Sequence, residues 1–221
     1  MKKYPIIKNI SKFLFFLPTL YFLNTKEAHA PNTEYNLNAD TRKIVVIDPG
    51  HGMGNRVEGW MDWGKTYLEY KEAEIVLEKA KKIKNMLDST KYKVILTRKD
   101  NTTPCPIESR PKLANKIKAD IFLSLHLNDF KNWKSISGSE IYWRYEKDKD
   151  LAKLAAKNIN EIANIPNRYV SWGEYLMLKE VSCPAALVEI GYFLNEQDIN
   201  KILKTNGVEK AIVKTIEDYL K

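Results

Sequence analysis

The stretch Lys43-Ile44-Val45-Val46-Ile47-Asp48-Pro49-Gly50-His51-Gly52 changes character halfway along. Lys43–Ile47 is a continuous β-branched run, the mark of a strand buried on both faces, as in parallel sheets. Asp48 through Gly52 is turn chemistry, carrying an acid and a histidine. In an open α/β sheet ligands bind beyond the carboxyl ends of the strands, so these residues fall where function is expected. The pattern recurs in Ile121–His126 (IFLSLH), which runs on into Leu127-Asn128. It recurs again in Ala185–Ile190 (AALVEI), which carries Glu189 near its end. A carboxylate in so apolar a strand is costly unless it is paired or put to work.

Between these strands lie segments of helical period. Over residues 71–88, Ala73, Val76, Leu77, Ala80, Ile83 and Leu87 form one stripe, and Ile107–Lys118 and Leu151–Ala163 repeat the spacing. Lys93–Thr97 and Ser139–Tyr145 read as further strands and Tyr175–Leu178 as a short one. Asn195 with Asp198 resembles an N-cap pair opening the penultimate helix, and Val208–Leu220 closes the chain. Strands alternating with helices predict an α/β fold: a single domain over 43–221 with a mostly parallel central sheet flanked by helices.

The 221 residues, 44% of them hydrophobic, suffice for one core and exclude disorder; no repeat of 20–50 residues is present. Of the formal charge of +8, half belongs to residues 1–30, which hold Lys2, Lys3, Lys8, Lys12 and Lys26 against Glu27 alone. The remaining +4 forms no basic stripe, so nucleic acid is not expected as a partner. The same thirty residues combine a basic start, an apolar run from Phe13 to Leu23 broken by Pro18, and an Ala28-His29-Ala30 ending. These are the parts of a signal peptide, with cleavage expected after Ala30. The run falls short of the roughly 20 residues of a membrane span. An uncleaved anchor is the alternative. Residues 31–42 then form a short polar tether. The expectation is an exported protein, periplasmic or secreted and wall-associated, with no stable span after cleavage.

Two of the three histidines, His51 and His126, thus reach one edge of the sheet beside an acid, the third being His29 in the leading segment. Histidine plus carboxylate at an open site fits catalytic zinc, in which three protein ligands leave a fourth position for water. By spacing alone the third ligand is Glu72 or Glu74, at the start of the first helix. A phosphate loop at Gly50-His51-Gly52-Met53-Gly54 is rejected, since it lacks the Gly-Lys-Ser/Thr ending and opens into no helix.

Taken together, the motifs resemble the zinc-dependent N-acetylmuramoyl-L-alanine amidases of the Amidase_3 family, bacterial cell-wall hydrolases. The resemblance rests on Ile47–Gly52, Glu72–Leu77, Leu96-Thr97-Arg98, Arg110 through Asn128 and Pro184 through Asn195, in that order, and covers about Lys43 to Leu220. It implies zinc held by His51, Glu72 and His126, Glu189 as catalytic acid/base, and peptidoglycan as substrate, and it settles the Glu72/Glu74 choice on Glu72. The sequence departs from the family pattern at Met53, Val76 and Leu194 and in a shorter loop before Asp100, none of which removes a ligand or the acid. Only 39 residues (146–184) separate the fourth strand from the last, which implies a lean catalytic domain, and the protein is expected to be a monomer.

Competing readings are a zinc-dead wall-binding or scaffold protein of the same fold, and a zinc peptidase or deacetylase acting on another bond of the polymer. The bland readings are a strand-ending turn for His51, a core histidine for His126, and an ion pair of Glu189 with Arg98 or Arg110. Trp60, Trp63, Trp133 and Trp172 fall in predicted loops, with Trp60 and Trp63 flanking the site. The lysines of 78–84 read as a solvated face. A bridge between Cys105 and Cys183 is left open by the exporting context.

Overall fold

The computed structural model describes residues 40–130 and 134–221; the expected signal peptide, the tether up to residue 39 and Trp133 lie outside the described residues. The elements run β1 (Lys43–Pro49), β2 (Gly52–Met53), β3 (Met61–Asp62), β4 (Thr66–Tyr67), β5 (Tyr70–Lys71), α1 (Glu72–Met86), β6 (Tyr92–Leu96), α2 (Ser109–Lys116) and β7 (Ile121–Asn128). Then come β8 (Ser139–Trp143), α3 (Lys149–Ala163), β9 (Asn167–Trp172), α4 (Leu176–Glu180), β10 (Ala185–Tyr192), α5 (Glu196–Lys204) and α6 (Gly207–Tyr219). The main sheet has the order β6-β1-β7-β10-β8-β9, while β2–β3 and β4–β5 are small hairpins. Strands β6, β1, β7 and β10 are mutually parallel. Strand β8 runs antiparallel to β10, and β9 lies parallel to β8. The α/β class and the mostly parallel sheet are therefore as expected.

The two faces of the sheet explain where the site lies. Val45, Ile47, Ile121, Leu123, Leu125, Ala186, Val188 and Ile190 pack into one large core with apolar residues of α1, α3 and α6. The alternate residues face the other way, where Val46, Phe122, Ala185 and Leu187 meet α2 and α4. Continuing up the strands on this second face, Val46 gives way to Asp48, Phe122 to Ser124 and His126, and Leu187 to Glu189. The short helices α2 and α4 bury the lower half, and the upper half is polar. The ladder aligns Glu189 with His126 on one side and with Glu140 on the other.

Several expectations need correcting. Tyr175–Leu178 is not a strand: Tyr175 precedes α4, whose Met177 and Leu178 are both buried. A short apolar run is compatible with either state, and adjacent side chains buried together favour a helix turn. The edge strand is instead β9, which hydropathy missed because its residues are half exposed; Trp172 belongs to it rather than to a loop. Lys79 does not join a solvated face. It is 1% exposed and pairs with Glu209 of α6 at 2.9 Å. Asn195 does cap α5, accepting from the backbone N–H groups of Gln197 and Asp198. The Asp198 carboxylate turns elsewhere, accepting from Gly138 and Tyr192 N–H. Cys105 and Cys183 are both free thiols.

Candidate metal centre

His51, Glu72 and His126 come together from three elements, one ligand atom of each lying within 4.8 Å of the others. Glu72 Oε1 is 2.9 Å from His51 Nε2 and 3.2 Å from His126 Nδ1, and the two imidazoles meet edge to face at 4.9 Å. Glu72 opens α1, and its position is fixed by backbone donors: Leu127 N–H to Oε1 and Lys65 N–H to Oε2, both 2.9 Å. Glu74 is exposed and bonds Lys71 at 3.3 Å, so it takes no part.

His51 adopts φ +64°, a conformation that non-glycine residues rarely hold and that clusters at functional sites. Two buried arginines sustain it. Arg98 donates to the carbonyls of Pro49 and Gly50, each at 2.8 Å, and to Ala73 O at 2.7 Å, tying the turn to the start of α1. Arg110 donates to Pro49 O at 3.2 Å and to His51 O, and bonds Asp48 at 3.0 Å. Asp48 in turn accepts from Ser124 at 2.7 Å and from Thr97. Both arginines thus commit their guanidinium groups to the turn, rather than pairing with Glu189.

Glycines leave room for these side chains. A Cβ on Gly50 falls 2.2 Å from the His126 ring, and one on Gly64 falls 2.6 Å from Glu72 Oε2 and 2.7 Å from the His51 ring. Asp62 was not foreseen. From the end of the β2–β3 hairpin it meets His51 Nδ1 at 3.0 Å and is itself bonded by Asn55 Nδ2 at 2.7 Å.

The electrostatics divide the carboxylates. Burial pulls His51 down, but Asp62 and Glu72 outweigh it and leave its pKa raised to about 9. Burial opposes ionisation of Glu72, yet bonds from His126 and His51 hold it well below the usual range. Glu189 differs: its Oε2 is shielded and without a hydrogen-bond partner. Burial, opposed by His126 and reinforced by Glu72, pushes its pKa up to about 7. Facing it, Glu140 accepts from Asn128 at 2.7 Å, Tyr142 at 2.9 Å, Arg168 at 3.0 Å and Tyr192. Burial opposes its ionisation too, but the tyrosines and Arg168 hold Glu140 below its usual value.

Two histidines and one ionised carboxylate converging on a point, with glycines clearing the space and a partnerless carboxylate alongside, form a donor set suited to zinc. Trp60 is 74% exposed, and Trp63 lies beneath Lys71 with 4.0 Å to its ring centre. Among the described residues no helix is long and apolar enough to cross a membrane.

Comparison with known proteins shows the family and agrees with the fold. The family model Amidase_3, N-acetylmuramoyl-L-alanine amidase, matches residues 45–220. A probable cell wall amidase, LytH, from Staphylococcus saprophyticus is 29% identical over 85% of this chain and 65% of its own length. Its counterpart in Staphylococcus epidermidis is 31% identical over 80% of this chain and 58% of its own length. The chain thus spans less than two thirds of either relative. Among solved structures, the catalytic domain of the amidase CwlV from Bacillus (Paenibacillus) polymyxa superposes with TM-score 0.72 at 29% identity, covering 80% of this chain and 98% of that one. An N-acetylmuramoyl-L-alanine amidase from Clostridium difficile 630 gives TM-score 0.73 at 28% identity, over 81% and 97%.

Proposed function

This chain belongs to the Amidase_3 family of N-acetylmuramoyl-L-alanine amidases, and from that premise we propose that it is a zinc-dependent peptidoglycan amidase. The bond hydrolysed joins the lactyl group of N-acetylmuramic acid to the L-alanine of the stem peptide. The observation that carries the reading is the convergence of His51, Glu72 and His126 beside the partnerless Glu189.

His51, Glu72 and His126 would hold the zinc, which would supply Lewis-acid chemistry to the amide carbonyl and to the attacking water. The protein's own contribution is placement and proton traffic. The facing carboxylates Glu189 and Glu140 are pushed apart in pKa, and such a split assigns roles. Glu140, ionised and saturated with donors, is structural. Glu189, near neutrality, is the group able both to take and to return a proton at physiological pH. Its Oε2 accepts a proton from the attacking water and delivers it to the alanine nitrogen as the C–N bond breaks, so that a neutral amine departs. The other product is the lactyl carboxylic acid.

The relatives named as cell wall amidases, and the expected signal peptide, support action outside the cytoplasm on the wall polymer. The test is mass spectrometry of purified peptidoglycan treated with the protein, with zinc and with chelator. Stem peptides with a free N-terminal alanine should appear only with metal. Glu189→Gln should retain zinc and lose about 10²–10⁴-fold in rate, the usual worth of a positioned acid/base. Intact polymer with zinc bound, or near-normal rates for Glu189→Gln, would overturn the reading.

A further inference from the structure

Asp62 occupies a place that its own sequence context does not announce. Its Oδ2 lies 3.0 Å from His51 Nδ1, the ring nitrogen turned away from Glu72, while His51 Nε2 faces Glu72 at 2.9 Å. The same Oδ2 accepts from Asn55 Nδ2 at 2.7 Å, and Oδ1 accepts from Gly64 N–H at 2.9 Å. Gly64 sits at φ +66° where an added Cβ would run into both Glu72 Oε2 and the His51 ring, and the next residue, Lys65, donates its N–H to Glu72 Oε2. One carboxylate thus braces an imidazole on one side and the loop holding the Glu72 carboxylate on the other. Asn55, 4% exposed, fixes that carboxylate from behind.

We infer that Asp62, held by Asn55, is a positioning residue for the metal centre: it orients His51 so that Nε2 carries the lone pair aimed at the cation, and through Gly64 it sets the loop that seats Glu72. The inference rests on the zinc reading above. A carboxylate accepting the Nδ1–H of a ligating imidazole fixes the tautomer and ring orientation and raises the ligand's basicity, and loss of such a partner typically costs about 10–100-fold in metal affinity.

The test uses the full-length chain and zinc alone as the probe. Wild type, Asp62→Asn, Asn55→Ala and His126→Ala are titrated against a chromogenic zinc chelator, with melting curves of the metal-free proteins as a fold control. Asp62→Asn preserves shape but places an amide against His51, so its affinity should fall by about 10–100-fold. In zinc-loaded wild type a long-range ¹H–¹⁵N spectrum should show His51 protonated at Nδ1, and that signature should be lost or shifted in Asp62→Asn. Asn55→Ala should weaken binding in the same direction by a smaller factor. It carries the test if Asp62→Asn fails to fold, and wild-type affinity in Asn55→Ala then overturns the inference. Wild-type affinity and tautomer in Asp62→Asn, with zinc lost in His126→Ala, overturn the role of Asp62 and leave the metal centre standing. Equal zinc binding by wild type and His126→Ala overturns the metal centre itself, and this inference with it.

Discussion

Gly50→Ala is the smallest change that tests the geometry of the site. The added Cβ would lie 2.2 Å from Cε1, 2.4 Å from Nε2 and 2.7 Å from Nδ1 of His126, where ordinary contact begins at 3.4 Å. The imidazole must therefore retreat by about 1 Å, and misplacing a reacting group by that much costs about 10²-fold in rate. Gly50 is not among the glycines held at positive φ, so alanine adds no backbone strain and the damage reports on His126 alone. Overpacking should cost about 1–3 kcal/mol of stability. Gly59→Ala is the control: it sits at φ +73° with nothing within 4 Å, so it should lose a similar amount through strain, about 1–2 kcal/mol, and keep its activity. The assay is kcat/KM on a defined muropeptide, with bound zinc quantified on the same sample. Gly50→Ala with wild-type turnover and a full complement of zinc would refute the placement of His126.

Three further outcomes are expected. Leu68 stands at φ +52°, 77% exposed at the tip of the β4–β5 hairpin. Leu68→Gly should relieve about 1–2 kcal/mol of strain against about 0.4–1 kcal/mol of added chain entropy, raising the melting temperature; a fall would contradict the reasoning. Breaking the buried Lys79–Glu209 pair with Glu209→Gln should cost about 3–5 kcal/mol in denaturant unfolding, whereas Lys79→Met with Glu209→Leu recovers most of it; a Glu209→Gln loss within surface-mutation range would reject the pair. Burial opposes ionisation of Asp48, but Arg110, Thr97 and Ser124 overcome it and lower its pKa in the folded state. That stability is complete above the unfolded value of about 3.9 and lost as pH falls below it. Asp48→Asn should flatten the acid limb of a stability–pH curve, and an unchanged limb would remove Asp48 from the account.

The strands that end at the site were legible because parallel strands buried on both faces are continuous apolar runs, against which Asp48, His126 and Glu189 stand out. Glu140 lies in β8, which runs antiparallel to β10 and is half-buried at its end, yet it is open to the same reasoning, a carboxylate beside Ile141, Tyr142 and Trp143. No motif draws attention to it. Asp62 is harder. It reaches His51 only through the β2–β3 hairpin, whose strands are two residues each, too short for any period to register. The one signal is Gly64 two residues later, a glycine whose necessity shows only once the ligands are placed around it. Strand β9 escapes for the opposite reason to the core strands: an edge exposes half its side chains and loses the hydropathy contrast.

The site is rigid for a reason that also explains its cost. His51 in the left-handed region is worth about 1–2 kcal/mol of strain, and Arg98 and Arg110 are large cations taken out of water beside it. Neither expense would persist alone. They offset one another: the tight turn presents the carbonyls of Pro49, Gly50 and His51 inward as acceptors, and the arginines need acceptors once buried. Arg110 is further neutralised by Asp48, and Arg98 carries the arrangement to Ala73, the residue after Glu72. His51 and Glu72, contributed by the loop and by α1, are therefore set by one hydrogen-bonded unit, while the backbone of His126 is set by the sheet. A change that disturbs the arginines should move His51 and Glu72 together, leaving His126 and Glu189 in register on β7 and β10.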